Sequence, residues 1–260
     1  MIVPRKFYKY RSCDGENMKW VEKTILHNEI YLAPASSFND PFDLRAVFSF
    51  DALPERQRAD FLRSSRNFAP HLSEAEHEAE ADRVMREALS PENISVTTGA
   101  FQLLHNRLMT SAVGIYCVST TCDDVLMWAH YADSHRGICL EFDGFGSLMA
   151  EAQQVEYVQT RPSINPYLSD DPVAMMEKAF LTKAEQWKYE AEWRLIRTDG
   201  PGPIQFQPAN LTGVIIGASA PTSLVETVKA WCRQRDAPAS LSRAVVDPQK
   251  FQLNIVPVKL

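Results

Sequence analysis

Short hydrophobic segments alternate with amphipathic ones along the chain, and this pattern predicts a mixture of strands and helices. KFYKYRS, residues 6–12, alternates as a strand does, with Phe7 opposite Tyr8 and Tyr10 on the pleat. NMKWVEKTILHN then places apolar residues at helical spacing, and EIYLAP is a short strand that ends at Pro34. The chain therefore begins as strand, helix, strand.

The middle of the chain repeats this order. AVGIYCVST, residues 112–120, is an apolar, β-branched run that is typical of a central strand. A helix is expected at about residues 124–134, with Asp123 or Asp124 as its N-cap and Gly137 at its end. The segment GICLEFD that follows predicts the next strand.

Towards the carboxyl end the pattern predicts a long helix from about Pro172 to Gln186 and a strand over residues 187–198. In that strand, strict alternation puts Glu190, Glu192 and Arg194 on one face. The remaining segments predict a strand, a helix and a final strand: LTGVIIGAS, TSLVETVKAWCRQR and FQLNIVPV.

Residues 51–111 differ from the rest because they are rich in Glu, Arg and Ala. They predict surface helices with ion pairs along one face, and the second helix begins at Ser73 with a Ser-x-x-Glu capping signature. We therefore predict an α+β (mixed α/β) fold: residues 1–260 form a single domain with a central mixed sheet, and residues 51–111 are a helical insertion within it.

Composition narrows the classes of protein. The chain has 260 residues, of which 45% are hydrophobic, as expected for a globular protein with a sizeable core. Its formal net charge of -6 argues against a surface that binds duplex nucleic acid. Without a signal peptide pattern or an apolar run of about 18 residues, the expectation is a cytoplasmic protein that does not enter the membrane. The 5 cysteines match neither a disulfide framework nor a metal site.

The segment LMWAHYADSHRGICLEF, residues 126–142, is the first candidate for a functional site. As a helix it places Met127, Trp128 and Tyr131 on one side, with His130 beside them. This pattern fits a packed core helix and also the wall of a ligand pocket. A zinc site on His130 and His135 is disfavoured, because five residues turn roughly 140° around a helix.

The second candidate is the Glu-x-Glu of KYEAEWR. Alternation puts Glu190 and Glu192 about 7 Å apart on one face, where like charges repel unless a cation or a ligand lies between them. One interpretation is a solvated sheet face balanced by Lys188 and Arg194. The other is that one of the two carboxylates binds a ligand hydroxyl or stabilises developing positive charge.

A third candidate is the turn in SSFNDPFD, residues 36–43. Asn39, Asp40 and Pro41 are turn residues, because Asn and Asp side chains bond back to the backbone and Pro presets its φ. The segment is either a plain turn or a loop that presents Asp40 or Asp43 to a ligand.

Four ordered motifs carry a family resemblance. FYKYRS, EIYLAPASSFNDPFD, CVSTTCDDVLMWAHYADSHRGICLEFD and WKYEAEWRLI resemble a bacterial family catalogued as domain of unknown function 2971. The resemblance extends from about residue 7 to residue 197. It implies no established activity, and it suggests a bacterial or phage-linked protein with a role in toxin or defence systems.

More distantly, the order of these motifs resembles the arrangement of parts in ADP-ribosyltransferases. That resemblance implies NAD as substrate, and a carboxylate that stabilises an oxocarbenium-like transition state. It assigns catalysis to Glu192 and positioning of the acceptor to Glu190. The NAD-binding cleft would contain Tyr10, Arg11, Ser119, Thr120, Trp128, His130 and Tyr131. Among them, Arg11 would hold a phosphate, Tyr10 or Tyr131 would stack, and Ser119 and Thr120 would support the site.

Two other classes of function stay open at this point. A metal-dependent nuclease would take its ligands from acidic residues, because Mg²⁺ binds carboxylates beside phosphate oxygens. These residues would be Asp40, Asp43, Glu141, Glu190 and Glu192. A non-enzymatic sensor or partner-binding protein would instead use the aromatic residues as a recognition groove. The expected ligand is a nucleotide-like small molecule, and the sequence does not identify the macromolecular acceptor.

Overall fold

The first three elements are two strands of the main sheet and the helix between them. A computed structural model describes residues 3–45, 47–48, 54–88, 90–164 and 178–259. Strand β1 (Lys6–Arg11), helix α1 (Asn17–His27) and strand β2 (Glu29–Pro34) confirm the predicted order. On β1 the alternation also holds, since Phe7 and Tyr10 enter two different hydrophobic clusters.

Three helices follow the short strand β3 (Val47–Phe48). They are α2 (Pro54–Phe68), α3 (Glu74–Ala88) and α4 (Pro91–Ser111), which confirms the helical character predicted for this part of the chain. The capping signature is also confirmed, because the Ser73 backbone N–H donates to Glu76 Oε2 at 2.7 Å. Arg58 of α2 joins α3 through ion pairs with Glu78 and Asp82.

The central segment contains strand β4 (Gly114–Ser119), helix α5 (Val125–Tyr131) and strand β5 (Ile138–Asp143). Asp124 is the N-cap of α5, and its Oδ1 accepts a hydrogen bond from the Met127 N–H at 2.9 Å. The helix is shorter than predicted. Residues 133–135 have φ values of 48°, 51° and 67°, so the backbone leaves the right-handed helical region there.

The predicted helix from Pro172 to Gln186 is wrong over its second half. Residues 172–177 lie outside the described residues, and residues 178–180 are helical. Strand β9 (Thr182–Ala184) follows and pairs in parallel with β7 (Glu156–Val158). Sequence periodicity missed this strand because its stability comes from pairing with a distant segment. Two further short strands in this part of the chain are β6 (Gln153–Gln154) and β8 (Ser163–Ile164).

The strand predicted from residue 187 begins only at Glu192. A 3₁₀ helix occupies Glu185–Glu190, and Ala191 has a left-handed backbone with φ of 44°. The last elements are β10 (Glu192–Arg197), β11 (Gly202–Gln205), β12 (Leu211–Ile216), α6 (Thr222–Gln234), β13 (Ser240–Val246) and β14 (Leu253–Pro257). Neither β11 nor β13 was predicted, because β11 contains Gly and Pro and β13 lacks a regular apolar alternation.

The main sheet has ten strands in the described residues, and eight of them form the order β11-β2-β4-β1-β5-β12-β13-β14. Strands β12 and β13 are parallel and the other pairs along this order are antiparallel, so the sheet is mixed. The predicted α+β fold class is therefore confirmed. Strands β10 and β6 extend the sheet beside β4.

Strand β4 is shared by three neighbours. β10 pairs with β4 along its whole length, from Glu192 opposite Ser119 to Arg197 opposite Gly114. The other edge of β4 is divided, because β2 pairs only at Gly114 and Ile115 while β1 pairs only at Ser119. Residues 116–118 therefore have no strand partner on this edge. We call this opening between β1 and β2 the β4 gap.

Hydrophobic side chains fill both faces of the sheet. One face holds Ile138, Leu140 and Phe142 of β5 with residues of α1 and α6, and the other face holds Tyr10 and Trp128. The face predicted for the apolar residues of β5 is thus confirmed. Among the helices described here, none is long and apolar enough to span a bilayer.

A core truncation in β5 tests this packing. Leu140 is fully buried at the centre of the sheet. We expect Leu140→Ala to lower the free energy of unfolding by about 2–5 kcal/mol, because it removes buried methyl groups and leaves a cavity. Denaturant titration with an unchanged m value measures this loss. The control Val246→Ala changes an exposed residue of β13 and should alter stability by less than about 0.5 kcal/mol. Equal losses in both variants would contradict the assignment of the core.

Candidate functional site

A cavity of about 710 Å³ opens at the β4 gap. Its volume lies in the range of small-molecule sites, which is about 300–1,000 Å³. Strands β1, β2 and β4, helices α1 and α5, and the segment around β10 all contribute to its wall. The lining residues that matter for the site are Lys9, Tyr10, Arg11, Tyr116, Ser119, His130, Tyr131, Lys183, Glu190 and Glu192.

Five charged residues that are almost completely buried form a cluster at the cavity, and three of them, Lys183, Glu190 and Glu192, line its wall. We call the five residues the charge cluster: Asp43, Lys183, Glu190, Glu192 and Arg194. With three carboxylates and two cations, the cluster carries a formal charge of one negative unit. The interpretation of Glu190, Glu192 and Arg194 as a solvated sheet face is therefore wrong. A cation does lie between the two glutamates, as their repulsion required.

Arg194 is the most deeply buried member of the charge cluster, with no exposed surface. Its Nη2 donates to both carboxylate oxygens of Asp43 at 2.9 and 2.8 Å, and its Nε donates to Glu192 Oε1 at 2.8 Å. Its Nη1 donates to the carbonyl oxygen of Phe180 at 2.7 Å. A guanidinium in this environment is compensated on every side, which a buried charge requires.

Lys183 connects the three carboxylates at the cavity wall. Its Nζ lies 2.5 Å from Glu190 Oε2, 3.0 Å from Glu192 Oε2 and 3.5 Å from Asp43 Oδ2. The ammonium also lies 5.2 Å from the ring centroid of Trp187. Lys183 thus holds Glu190 and Glu192 together despite their like charges.

The two glutamates have pKa values displaced in opposite directions. Burial would raise the pKa of Glu192, but Arg194 and Lys183 outweigh burial and hold that pKa well below its usual range. Burial raises the pKa of Glu190, and Lys183 opposes this effect only in part. Such a divergence separates the roles of two carboxylates, because Glu192 stays ionised while Glu190 more readily holds a proton.

Backbone geometry brings the two carboxylates together. The left-handed Ala191 separates the 3₁₀ helix from β10, so Glu190 is not part of the strand. Ser119 Oγ donates to the Glu190 carbonyl oxygen at 2.6 Å, and Tyr131 Oη donates to Glu190 Oε1 at 2.6 Å. The Glu192 N–H donates to Tyr157 Oη at 2.8 Å. The convergence of the glutamates therefore results from a turn and not from strand alternation.

Of the aromatic residues predicted for the cleft, Tyr10 and Tyr131 line the cavity and Trp128 does not. Trp128 is fully buried, donates from Nε1 to the Cys122 carbonyl oxygen at 2.8 Å, and is not part of the cavity wall. Tyr10 packs edge-on against Trp128 at 5.2 Å, and its hydroxyl donates to the Thr121 carbonyl oxygen. Met127 and Tyr131 reach the cavity. Helix α5 is thus both a core element and a part of the wall.

An aromatic group stands beside the charge cluster. His130 is exposed, and its ring lies 6.5 Å from Trp187 and 6.2 Å from Tyr189, whose rings are 6.0 Å apart. Trp187 and Tyr189 come from the 3₁₀ helix that the sequence assigned to a strand. This group offers stacking surfaces close to Glu190.

Arg11 and Thr120 are the two remaining residues predicted for the cleft. Arg11 lines the cavity, with its guanidinium carbon 5.9 Å from the centre of the Tyr116 ring. Thr120 contributes its backbone N–H, which donates to the Ala191 carbonyl oxygen at 3.2 Å, and it is not part of the cavity wall. Its position fits support of the turn more closely than contact with a ligand.

Of the five acidic residues considered for a nuclease, Asp43, Glu190 and Glu192 lie in the charge cluster, where they pair with Lys183 and Arg194. The other two lie elsewhere. Glu141 forms an ion pair with Lys6 at 2.8 Å and accepts a hydrogen bond from Thr212, away from the charge cluster. Asp40 Oδ1 accepts a hydrogen bond from the Phe42 N–H at 2.8 Å, and this bond stabilises the turn at residues 39–41. Within the described ranges, no three His, Cys, Asp or Glu side chains are grouped so that they could hold a metal ion.

Sequence reasoning missed Lys183, Tyr157, Trp187 and Tyr189 as members of this site. Lys183 lies within the predicted helix, where a single Lys does not indicate a functional site. The aromatic residues were assigned to a strand. Asp43 was named as a candidate ligand, and the structure gives it the role of a partner for Arg194.

Comparison with known families decides what the chain resembles. Residues 127–195 match the family model described as Protein of unknown function (DUF2971). The match begins in α5 and ends in β10, so it includes Tyr131, Lys183, Glu190, Glu192 and Arg194. It covers the third motif in part and most of the fourth, and confirms the resemblance there. The first two motifs lie outside the DUF2971 match.

The DUF2971 match carries no activity with it. Searches of curated proteins and of solved structures found no match. The function of the site must therefore be argued from its own geometry.

Removal of Arg194 tests the charge cluster. We expect Arg194→Met to lower the free energy of unfolding at pH 7 by about 3–5 kcal/mol, because Asp43 and Glu192 lose their partner in a buried environment. In the native protein the pKa of Glu192 is lowered, so ionised Glu192 contributes to the free energy of unfolding above about pH 4.3, and this contribution is lost as the pH falls. In the variant the pKa of Glu192 rises, so the difference in stability between the two proteins should become smaller as the pH falls from about 7 towards about 5. Denaturant titrations of both proteins at about pH 7 and at about pH 5 measure this difference.

Arg197→Met is the matched control. Arg197 lies on the same strand, is 43% exposed, and pairs with Glu151 at the surface. We expect a change of less than about 1 kcal/mol that does not depend on pH. A similar loss in the two variants would contradict the dependence of the fold on Arg194.

Proposed function

We propose that the protein transfers the ADP-ribosyl group of NAD to an acceptor. The observation that carries this proposal is the pairing, in one cavity wall, of an ionised glutamate with a second glutamate of raised pKa. The cavity also has an arginine that can bind phosphate. No metal is required for the reaction, in which the bond from ribose C1′ to the nicotinamide nitrogen breaks and a bond from C1′ to the acceptor forms.

Glu192 supplies the negative charge that this reaction needs. As the bond to nicotinamide breaks, positive charge develops on the ribose, and nicotinamide leaves with the bonding electron pair as a neutral molecule. A fixed carboxylate beside the ribose stabilises that charge and can accept a hydrogen bond from the 2-hydroxyl. Arg194 and Lys183 keep Glu192 ionised and fix its orientation. The preorganisation of this carboxylate supports its assignment as the catalytic residue.

Glu190 is assigned to the acceptor. The acceptor must lose a proton when it attacks C1′, so a nearby carboxylate whose pKa is raised is a suitable base. The pKa of Glu190 is raised mainly by burial, and the hydrogen bond from Tyr131 fixes one of its oxygens. The aromatic group of His130, Trp187 and Tyr189 lies next to it and can stack on nicotinamide or on the acceptor.

Arg11 lies on β1 in the same cavity and is the expected partner for a phosphate of NAD. The hydrogen bond from Ser119 Oγ to the Glu190 carbonyl oxygen supports a role for Ser119 in holding the turn that carries Glu190. Tyr10 is engaged in the core, so Tyr131 is the better candidate for stacking. We therefore assign ligand contact to Arg11 and Tyr131, and structural support to Trp128 and Tyr10.

Nicotinamide release tests the proposal. The purified chain would be incubated with NAD, alone and with separate protein, RNA and DNA fractions, and free nicotinamide would be measured by chromatography. We expect release that Glu192→Gln reduces by about 100-fold or more, because the charge that stabilises the transition state is lost. Glu190→Gln should reduce transfer to the acceptor more than release.

Two controls separate catalysis from folding. Glu141→Gln changes a strand glutamate that has a lysine partner but lies outside the cavity wall, and it should keep full activity. The shift in melting temperature caused by NAD should persist in Glu192→Gln if its cavity is intact. The proposal is wrong if no fraction supports release by the unmodified chain and NAD causes no shift. Mg²⁺-dependent cleavage of nucleic acid would then be tested, and a negative result there would leave the sensor class.

A further inference from the structure

The cavity wall contains two further cations, Lys9 and Arg11, which differ from the cations of the charge cluster. Lys183 and Arg194 are each held by carboxylates at hydrogen-bond distance. Lys9 and Arg11 also line the cavity, and neither forms an ion pair with any residue in the described part of the chain. Both lie against the ring of Tyr116, whose centroid is 4.9 Å from Lys9 Nζ and 5.9 Å from the guanidinium carbon of Arg11.

Tyr116 adds an independent observation. Its side chain is 2% exposed, and its hydroxyl has no hydrogen-bond partner within the described residues. A buried hydroxyl without a partner is costly, and it marks a place where a further group is expected. Tyr116 lies in the β4 gap, where it lines the same cavity as the two cations. Among the described residues, two cations without an ion pair thus lie beside a tyrosine whose hydroxyl has no hydrogen-bond partner.

We infer that Lys9, Arg11 and the Tyr116 hydroxyl form a binding site for the diphosphate of a nucleotide ligand. Arg and Lys side chains bind phosphate oxygens through charge-assisted hydrogen bonds, and a tyrosine hydroxyl can donate a further bond. The choice of a nucleotide rests on the proposed function, in which the ligand is NAD. Binding of a diphosphate can still be measured without any turnover.

Two properties make the site selective. Contact with the Tyr116 ring holds both cations in place without neutralising them, so their charge is available to the ligand. The carboxylates of Glu190 and Glu192 repel phosphate from the charge cluster, which orients an elongated ligand with its diphosphate away from them. The ribose next to nicotinamide is then directed towards Glu192.

The charge of Lys9 depends on pH in the range where the protein can be studied. Burial, followed by the neighbouring Arg11, lowers the pKa of Lys9 to about 8. Burial raises the pKa of Tyr116 to about 12, so its hydroxyl stays a donor over this range. The other titratable groups that line the cavity are Tyr8, Tyr10, Tyr31, Cys117, His130, Tyr131, Lys183, Glu190 and Glu192. Of these, Cys117 has a pKa raised by burial, and Glu192 and Glu190 favour the charged form of Lys9.

Calorimetric titration with ADP tests the inference, with adenosine as the control ligand that lacks phosphate. At about pH 7 we expect Lys9→Met to weaken ADP binding by about 10- to 100-fold, and Tyr116→Phe by about 3- to 10-fold. Neither variant should change the affinity for adenosine. Tyr116→Phe should leave the melting temperature of the free protein unchanged or raise it, because it removes a hydroxyl without a partner. A merely structural tyrosine would lose stability instead.

A pH series isolates the role of Lys9. ADP binding by the unmodified chain should weaken between about pH 7 and about pH 9.5, as Lys9 loses its proton while the phosphates keep their charge. Lys9→Arg should bind ADP at both pH values, because a guanidinium stays protonated.

The results separate this inference from the proposed function. Lys9-dependent ADP binding without nicotinamide release would support the diphosphate site and reject ADP-ribosyl transfer. Nicotinamide release by a chain whose ADP affinity is unchanged in Lys9→Met and Tyr116→Phe would reject the site and keep the transferase. Absence of ADP binding, or equal losses for ADP and adenosine, would also overturn the inference.

Discussion

The burial of Arg194 is the interaction on which the rest of the site depends. A guanidinium without exposed surface is tolerated only if every side of it is compensated, and here Asp43, Glu192 and the Phe180 carbonyl group provide that compensation. These partners come from a turn after β2, from β10 and from the segment that leads into β9. One cation thus fixes three separate parts of the chain. It also determines where Glu192 lies and keeps its carboxylate ionised.

The cavity has a different physical origin, which is the division of one edge of β4. An antiparallel strand normally pairs along both edges, but β1 and β2 each pair with only one end of β4. The backbone edge of residues 116–118 therefore borders an opening, and Tyr116 lies there beside Lys9 and Arg11. A sheet that divides in this way provides both a rigid wall and polar side chains, without a long loop. The cavity wall contains both the carboxylates of Glu190 and Glu192 and the cations of Lys9 and Arg11.

The sequence predicted the order of the first elements, the strand pattern of β4 and β5, and the cap of α5, because these depend on local periodicity and on capping chemistry. It did not predict β9, since a three-residue strand is defined by its pairing with β7. It assigned Glu190 to a strand because alternation does not reveal the left-handed conformation of Ala191. Glu190 and Glu192 are nevertheless candidates from sequence alone, because two like charges close together repel unless a cation or a ligand lies between them. Lys183 carries no local signal, and only the fold brings it to them.

The contact between Arg194 and Asp43 joins residues that are 151 positions apart. Such a contact forms only after most of the polypeptide has been synthesised and the intervening helices have been accommodated, and long-range contacts of this kind are slow to form. A nascent or truncated chain that ends before β10 has neither Glu192 nor the cation that orients it. The site therefore forms late in folding, when β10 completes the sheet, and it does not form before the rest of the fold.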